Sequence, residues 1–240
     1  MTDSSTIPRR ALAEFCGSAF LVAVVVGSGI AAQRLSPNDV GLQLFENAAA
    51  TAGGLVALIL AFGPVSGAHF NPVVSLVDSF FGGLPRRDLP AYISAQISGA
   101  IVGCIVANLM FELDAVTWSE KARASSGPFI AEVVATLGLL IVIFGVVRSG
   151  RATAAPFAVG AYIGAAYFFT SSTSFANPAV TIGRAFTDTF AGIKPSSVPA
   201  FVGFQLVGGA LAVLVIRTLY PDVGAVAGEV VVPHDQVDHG

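Results

Sequence analysis

Long apolar segments separated by short polar ones extend along almost the whole chain. A helix needs roughly 20 apolar residues to cross the hydrocarbon core of a bilayer. Six segments meet this requirement, at residues 11–32, 45–64, 90–111, 129–148, 154–172 and 198–219. Because a helix satisfies its backbone hydrogen bonds internally, the pattern predicts an all-α membrane protein with six transmembrane helices.

Two further apolar stretches, 71–81 and 178–187, are too short to span a bilayer, and each follows an asparagine–proline pair. The motifs are Asn71-Pro72-Val73 and Asn177-Pro178-Ala179. Asparagine is a strong N-cap, and proline suits the first helical turn because its φ is already set and its missing N–H is not needed there. Each motif therefore predicts a half-helix that begins inside the membrane, a feature typical of inverted-repeat membrane proteins.

The two halves of the chain resemble each other beyond these motifs. Ala13-Glu14-Phe15 in the first span matches Ala131-Glu132-Val133 in the fourth, and Gln96 in the third matches Gln205 in the sixth. Three spans per half is an odd number, so the second half must be inverted and the half-helices must enter from opposite faces. The expected organisation is an N-terminus at 1–9, a first repeat at 10–112, a connecting loop at 113–127, a second repeat at 128–220 and a tail at 221–240.

Composition and charge agree with a protein that lies mostly in lipid. The chain is 54% hydrophobic and 11% charged, whereas a soluble domain has roughly 25% charged residues. A net charge of −3 offers no basic surface for nucleic acid. We therefore expect the bilayer, and not a nucleic acid, as the surroundings of this chain.

Lysine and arginine are distributed unequally between the two sets of loops. If both termini are cytoplasmic, the inner segments contain Arg9, Arg10, Arg86, Arg87, Arg148, Arg151 and Arg217, and the outer segments contain Arg34, Lys121, Arg123 and Lys194. Cytoplasmic loops are enriched in these residue types. The distribution predicts a multi-pass protein of the inner (plasma) membrane with cytoplasmic N and C termini.

Few residues suggest a metal or a cofactor, and we expect neither. The acidic tail carries His234 and His239, for which a solvated, disordered segment is favoured over a metal site. Cys16 and Cys104 lie in apolar segments and are interpreted as small buried hydrophobic residues rather than disulfide partners.

Ionisable residues within membrane spans are candidates for function, and Glu14 and Glu132 lie at equivalent places in the two halves. One interpretation is a proton relay. The other is that each carboxylate accepts hydrogen bonds from the non-helical backbone leading into a half-helix, because such backbone must be satisfied at membrane depth. The paired positions favour the second interpretation, with Gln96 and Gln205 in a similar supporting role.

The two half-helix N-termini predict a pore for neutral molecules. Each carries unpaired N–H groups and a partial positive charge of roughly half a unit, so two that face each other repel cations. The amides of Asn71 and Asn177 can donate to a passing hydroxyl oxygen, and carbonyls of the preceding loops can accept. The residues expected to line the path in these loops are Gly67, Ala68, His69, Phe175 and Ala176.

The segment from Ser66 to Ser75 around the first motif, and the segment from Ser174 to Ala179 around the second, resemble the two signature loops of the aquaporin (major intrinsic protein) family. Ala13-Glu14-Phe15 and Ala95-Gln96 are similar to its other signatures. The resemblance covers residues 9–220. It implies a fold of six spans and two half-helices, and a homotetramer with one pore per subunit that conducts water or small neutral solutes.

The resemblance also implies a selectivity ring, at which this chain departs from the family. An arginine normally follows the second motif, but this chain has Val180, and Arg184 lies one helical turn deeper, where we do not expect it to substitute. The other ring positions match Gly53, Ser174 and Tyr167, with Ala165 as the alternative to Tyr167. Such a ring is wide and uncharged, which implies passage of glycerol-like polyols and neutral metalloid hydroxides such as arsenite, As(OH)3, as in arsenic-associated bacterial channels. The alternative is a water-selective pore whose filter has drifted.

Two other classes of function share some of these sequence features. An ion-coupled transporter also uses broken helices, but it needs carboxylates that bind the coupling ion, and only Glu14 and Glu132 lie within the spans. A membrane hydrolase could use Ser66 near His69, but no strained nucleophile turn with a paired base is present. The sequence therefore favours a passive channel that is not an enzyme.

Overall fold

The computed structural model describes residues 6–226 and 230, and all regular secondary structure in these residues is helical. The helices are α1 (Ile7–Leu35), α2 (Val40–Ser66), α3 (Pro72–Phe81), α4 (Leu89–Met110), α5 (Ser126–Arg148), α6 (Ala155–Phe169), α7 (Pro178–Gly183), α8 (Val198–Leu219) and α9 (Val223–Val226). Within the described residues, six helical segments are long and apolar enough to cross a membrane. The predicted all-α fold with six spans is confirmed. His234 and His239 lie outside the described residues.

The helix boundaries differ from the predicted ones where polar residues are satisfied locally. α2 starts at Val40, five residues earlier than predicted, because Asp39 caps it by accepting from the backbone N–H of Leu42 at 2.9 Å, and Gln43 donates to the carbonyl of Ser36 at 2.8 Å. The fifth span ends at Phe169 instead of residue 172. Hydropathy alone thus misplaces helix ends in both directions, because it starts α2 too late and extends the fifth span too far.

Both half-helices begin at the predicted asparagines. The side-chain oxygen of Asn71 accepts from the N–H of Val73 at 2.9 Å, and that of Asn177 accepts from the N–H of Ala179 at the same distance. α3 ends at Phe81 and is followed by Gly82, whose φ of 95° is in the left-handed region that glycine adopts readily. The second half-helix is shorter than predicted, because α7 ends at Gly183 and continues as a tighter 3-10 turn.

The two halves of the molecule have corresponding helix contacts. In the first half α1 packs on α2 and α4, and in the second half α5 packs on α6 and α8. Across the halves, α2 packs on α6, α3 on α8 and α4 on α7. If α1, α2, α3 and α4 are matched in order with α5, α6, α7 and α8, each of these contacts has a counterpart in the other half, as expected for two repeats. The exact repeat boundaries at 10–112 and 128–220 stay predictions.

Close backbone contact between helices depends on glycine. A Cβ atom at Gly99 would lie 2.3 Å from the carbonyl oxygen of Phe15, and one at Gly103 would lie 2.0 Å from that of Ala19. Small residues with this spacing let transmembrane helices approach closely where lipid gives no hydrophobic driving force. α4 is thereby held tightly against α1, the helix that carries Glu14.

The segment that connects the halves crosses over the loop that follows α7. The backbone N–H of Ser119 donates to the carbonyl of Ala185 at 3.1 Å, and the N–H of Lys194 donates to the carbonyl of Lys121 at 2.8 Å. This pairing carries Arg123 from the connecting segment to the loop that precedes the second half-helix, where it donates to the carbonyl of Ser172 at 3.4 Å.

Candidate functional site

A cavity of about 450 Å³ lies between the two halves. Its wall is formed largely by apolar side chains of the spans and by both loops that precede the half-helices. The polar side chains on this wall include Thr51, His69, Asn71, Ser174 and Asn177. An apolar wall with a few convergent polar groups is typical of sites for small organic molecules.

The two motif asparagines link the half-helices to each other. The amide nitrogen of Asn71 donates to the carbonyl of Ala176 at 2.8 Å, and that of Asn177 donates to the carbonyl of Phe70 at 2.7 Å. The sequence predicts the caps but does not reveal this reciprocal bond. Since a primary amide has two N–H groups, each asparagine keeps one donor for the cavity that it lines.

Both loops contain non-glycine residues in left-handed backbone conformations. Ala68 and Phe70 have φ values of 51° and 50°, and Ser174 and Ala176, at the same offsets from the second asparagine, have 50° and 48°. Such conformations cost on the order of 1–3 kcal/mol each for residues with a Cβ. Alanine, serine and phenylalanine give no sequence signal for this geometry, so only the surrounding structure accounts for it.

The first loop is held by the carboxylate of Glu14, which is fully buried. One oxygen accepts from the Ser66 hydroxyl at 2.6 Å and from the backbone N–H of His69 at 3.0 Å. The other accepts from the backbone N–H of Phe70 at 2.7 Å and from the Gln96 amide at 2.8 Å. All four bonds serve the loop or its support.

The second loop is held in the same way by Glu132. Its oxygens accept from the backbone N–H groups of Phe175 at 3.0 Å and Ala176 at 2.8 Å, and from the Gln205 amide at 2.5 Å. Gln205 also donates to the hydroxyl of Thr181, as Gln96 does to that of Ser75. This geometry matches the interpretation of the paired carboxylates as loop supports, and neither Glu14 nor Glu132 is among the residues that line the cavity.

The residues predicted to line the path meet at the cavity wall. Gly67, Ala68, His69, Phe175 and Ala176 all lie on it. The structure adds Phe70, whose ring occupies the space in front of Gly17: a Cβ atom on that glycine would lie 1.9 Å from it.

The structure corrects one residue of the predicted ring. Ser174, Val180 and Tyr167 line the cavity, whereas Ala165 is exposed, which favours Tyr167 as the residue of α6 in the proposed ring. Gly53 does not line it and is exposed, with open space around a Cβ atom. Thr51 lines the cavity in its place, and its hydroxyl lies 3.1 Å from that of Tyr167. Residues two apart on a helix point in nearly opposite directions, so Thr51 and Gly53 cannot both face the lumen.

Two arginines lie beside the ring. The guanidinium of Arg184 stacks 3.5 Å from the centroid of Phe175, its Nε donates to the carbonyl of Ala191, and the residue lines the cavity. Arg123 lies 5.0 Å from the same centroid and donates to the carbonyl of Gly192 at 3.0 Å. Burial lowers the pKa of Arg123 to about 10, so the group stays protonated at neutral pH. Sequence reasoning places Arg184 too deep to contribute and does not single out Arg123 as a site residue, because its position depends on the loop crossing.

No cluster of three or more histidine, cysteine, aspartate or glutamate side chains that could hold a metal ion occurs in residues 6–226 and 230.

Comparison with known proteins agrees with this architecture. The family model for major intrinsic protein matches residues 1–176. Aquaglyceroporin AqpS of Rhizobium meliloti (strain 1021) is 48% identical over 213 residues, which cover 89% of this chain and 91% of that protein. Aquaporin NIP1-1 of Zea mays is 32% identical over 237 residues, which cover 95% and 75%.

The fold also matches a solved structure. The X-ray structure of the aquaglyceroporin from Plasmodium falciparum gives a TM-score of 0.73 at 21% identity and covers 92% of this chain and 100% of that one. At this identity the likeness supports the fold alone. The family assignment comes from the sequence matches, which extend over most of the chain: it belongs to the major intrinsic protein family, whose aquaglyceroporins are channels and not enzymes.

Proposed function

We propose that this protein is a passive channel for small neutral hydroxylated solutes, namely glycerol-like polyols, neutral metalloid hydroxides such as As(OH)3, and water. The observation that carries the proposal is the cavity where the two half-helix N-termini meet beside a ring that has Val180 in place of an arginine. The name of the relative AqpS, an aquaglyceroporin, points in the same direction.

The wall of the cavity suits a molecule with both hydroxyl and C–H groups. On one side Asn71 and Asn177 each keep an N–H donor, and the loops supply backbone acceptors. Most of the remaining wall is apolar, including Leu55, Val159 and Ile163. A polyol can therefore place its oxygens on the polar side and its carbon atoms on the apolar side, whereas a fully hydrated ion loses water that the apolar side cannot replace.

The ring favours solutes larger than water. Thr51 and Ser174 are small, and Val180 is shorter than the arginine that the family resemblance leads one to expect. Tyr167 is the one bulky member, and its hydroxyl is bonded toward Thr51. The selectivity ring is thus proposed to consist of Thr51, Tyr167, Ser174 and Val180.

We also propose a homotetramer in the plasma membrane with cytoplasmic termini, as the family resemblance and the distribution of lysine and arginine imply. Large side chains such as Leu12, Phe20, Leu109 and Leu214 are more than half exposed on the spans of the single chain. Lipid or neighbouring subunits would cover them. Cross-linking in native membranes tests the assembly.

Proteoliposomes with purified protein test the proposed function. Stopped-flow light scattering should show water and glycerol entry well above that of empty vesicles, with a low activation energy, and mass spectrometry should show As(OH)3 uptake that is linear in its gradient. Water flux without glycerol or arsenite flux would favour the water-selective alternative. Saturable uptake that depends on an ion gradient would favour an ion-coupled transporter.

A further inference from the structure

We propose that the guanidinium of Arg184 is the fixed positive charge that excludes cations from this pore, acting from the wall of the cavity one helical turn beyond Val180. This inference rests on the proposed channel function and names the residue that sets its charge selectivity. It replaces the expectation that the ring region is uncharged.

Arg184 is a buried charge without an ionic partner. The residue is 2% exposed, and in the described part of the chain its only side-chain hydrogen bond is from Nε to the carbonyl of Ala191. No carboxylate among residues 6–226 and 230 forms an ion pair with it. The carboxylate of Glu132 interacts with Arg184 only electrostatically, without an ion pair, and already accepts hydrogen bonds from three N–H donors. The field of Arg184 is therefore not cancelled locally.

Arg184 lines the cavity although little of the residue is exposed. Among the described residues, neither terminal nitrogen of its guanidinium is both buried and without a hydrogen-bond partner. We therefore infer that the charged end faces the cavity. These nitrogens can donate to the oxygens of a passing hydroxylated solute. A cation has no such compensation and meets an unscreened positive charge in a region of low dielectric.

The position of the guanidinium is fixed by the Phe175 ring and by the bond from Nε to the carbonyl of Ala191. Phe175 lies face-on to it at 3.5 Å, and Arg123 stands 5.0 Å from the same ring, anchored to the carbonyls of Ser172 and Gly192. Phe175 is in turn held through its backbone N–H by Glu132. The loop support of the second repeat thus also orients the charge in the pore wall.

The test compares cation leak with water flux in proteoliposomes, using K⁺ efflux measured with an ion-selective electrode. Arg184→Gln should raise the ratio of K⁺ to water permeability roughly tenfold or more, and Arg184→Lys should keep it near the native value. Arg151→Gln, the same chemical change at an exposed loop residue, is the matched control. In Val180→Arg/Arg184→Gln the new guanidinium lies one turn away on the same face and should restore exclusion.

A second pair of variants covers the case in which Arg184→Gln does not fold. Val180→Glu leaves Arg184 in place but offsets its positive charge, so it should raise the ratio of K⁺ to water permeability. Val180→Gln adds no charge and should leave this ratio unchanged. An unchanged ratio in folded Arg184→Gln, or in Val180→Glu, overturns the proposal. The ratio of K⁺ to water permeability can be measured even if the native protein does not conduct glycerol. Absence of glycerol flux would reject the proposed solute range but not the role of Arg184.

Discussion

Replacing Glu14 with glutamine should destabilise the protein severely although the side chain keeps its shape. The carboxylate of Glu14 accepts four hydrogen bonds, two at each oxygen, and is fully buried. In Glu14→Gln one oxygen becomes an NH2 group, which faces the backbone N–H of either His69 or Phe70. The amide of Gln96 and the hydroxyl of Ser66 can reorient to accept from this group, but a backbone N–H cannot.

The magnitude follows from the bonds that are lost. One buried backbone donor left without a partner costs about 1–3 kcal/mol, and the remaining bonds lose their charge assistance, about 1 kcal/mol each. With three remaining bonds, the sum is on the order of 4–6 kcal/mol, to which the left-handed residues Ala68 and Phe70 add strain that is no longer restrained. For a chain of this size, that corresponds to a fall of roughly 10–20 °C in apparent melting temperature.

The assay is thermal unfolding of detergent-solubilised protein, followed by glycerol flux of the surviving folded fraction. Glu120→Gln is the control, because Glu120 is exposed and its ion pair with Lys194 at 2.8 Å contributes less than about 1 kcal/mol. Glu132→Gln should resemble Glu14→Gln. If Glu14→Gln has the same melting temperature as the Glu120→Gln control, the conformation of the loop does not depend on this carboxylate.

Further substitutions at the two half-helix caps and at the ring test the pore itself. Asn71→Ala and Asn177→Ala each remove a cap worth roughly 0.5–2 kcal/mol and the bond to the opposite loop. Each variant should therefore have a lower melting temperature and a lower solute flux than the native protein. A native melting temperature in thermal unfolding and a native flux in stopped-flow assays would contradict this role. Thr51→Phe should reduce glycerol flux severalfold, whereas Gly53→Phe, on the exposed side of α2 away from the cavity, should leave it unchanged; the reverse result would restore Gly53 to the ring. Val180→Arg should narrow the ring, and the ratio of glycerol to water permeability should therefore fall; a constant ratio would place Val180 outside the constriction.

The sequence predicts the global fold well because its strongest signals are periodic or repeated. Six apolar segments of sufficient length define the spans, and the two asparagine–proline motifs define the half-helix starts. Both signals depend on local physics, namely the length needed to cross lipid and the geometry of an N-cap. Neither depends on which residues meet in three dimensions.

The details of the site are less predictable because they depend on rotation about helix axes and on loop crossings. A shift of two residues in α2 separates Thr51 from Gly53, and hydrophobicity does not distinguish them when both faces of the helix are apolar or small. Arg123 reaches Phe175 only because the connecting segment pairs with the loop after α7. The left-handed conformation of Ala68 and Ala176 has no sequence signal at all.

The same contacts that support the loops argue against ion coupling. A coupling site needs a carboxylate that faces the transport path and can exchange an ion or a proton with it. Glu14 and Glu132 are fully buried away from the cavity wall, and their oxygens are occupied by backbone and amide donors that hold strained loops. Protonating either one would remove an acceptor from a backbone N–H and loosen the half-helix start. Carboxylates used in this way cannot also cycle between charge states during transport, so the architecture favours a passive channel.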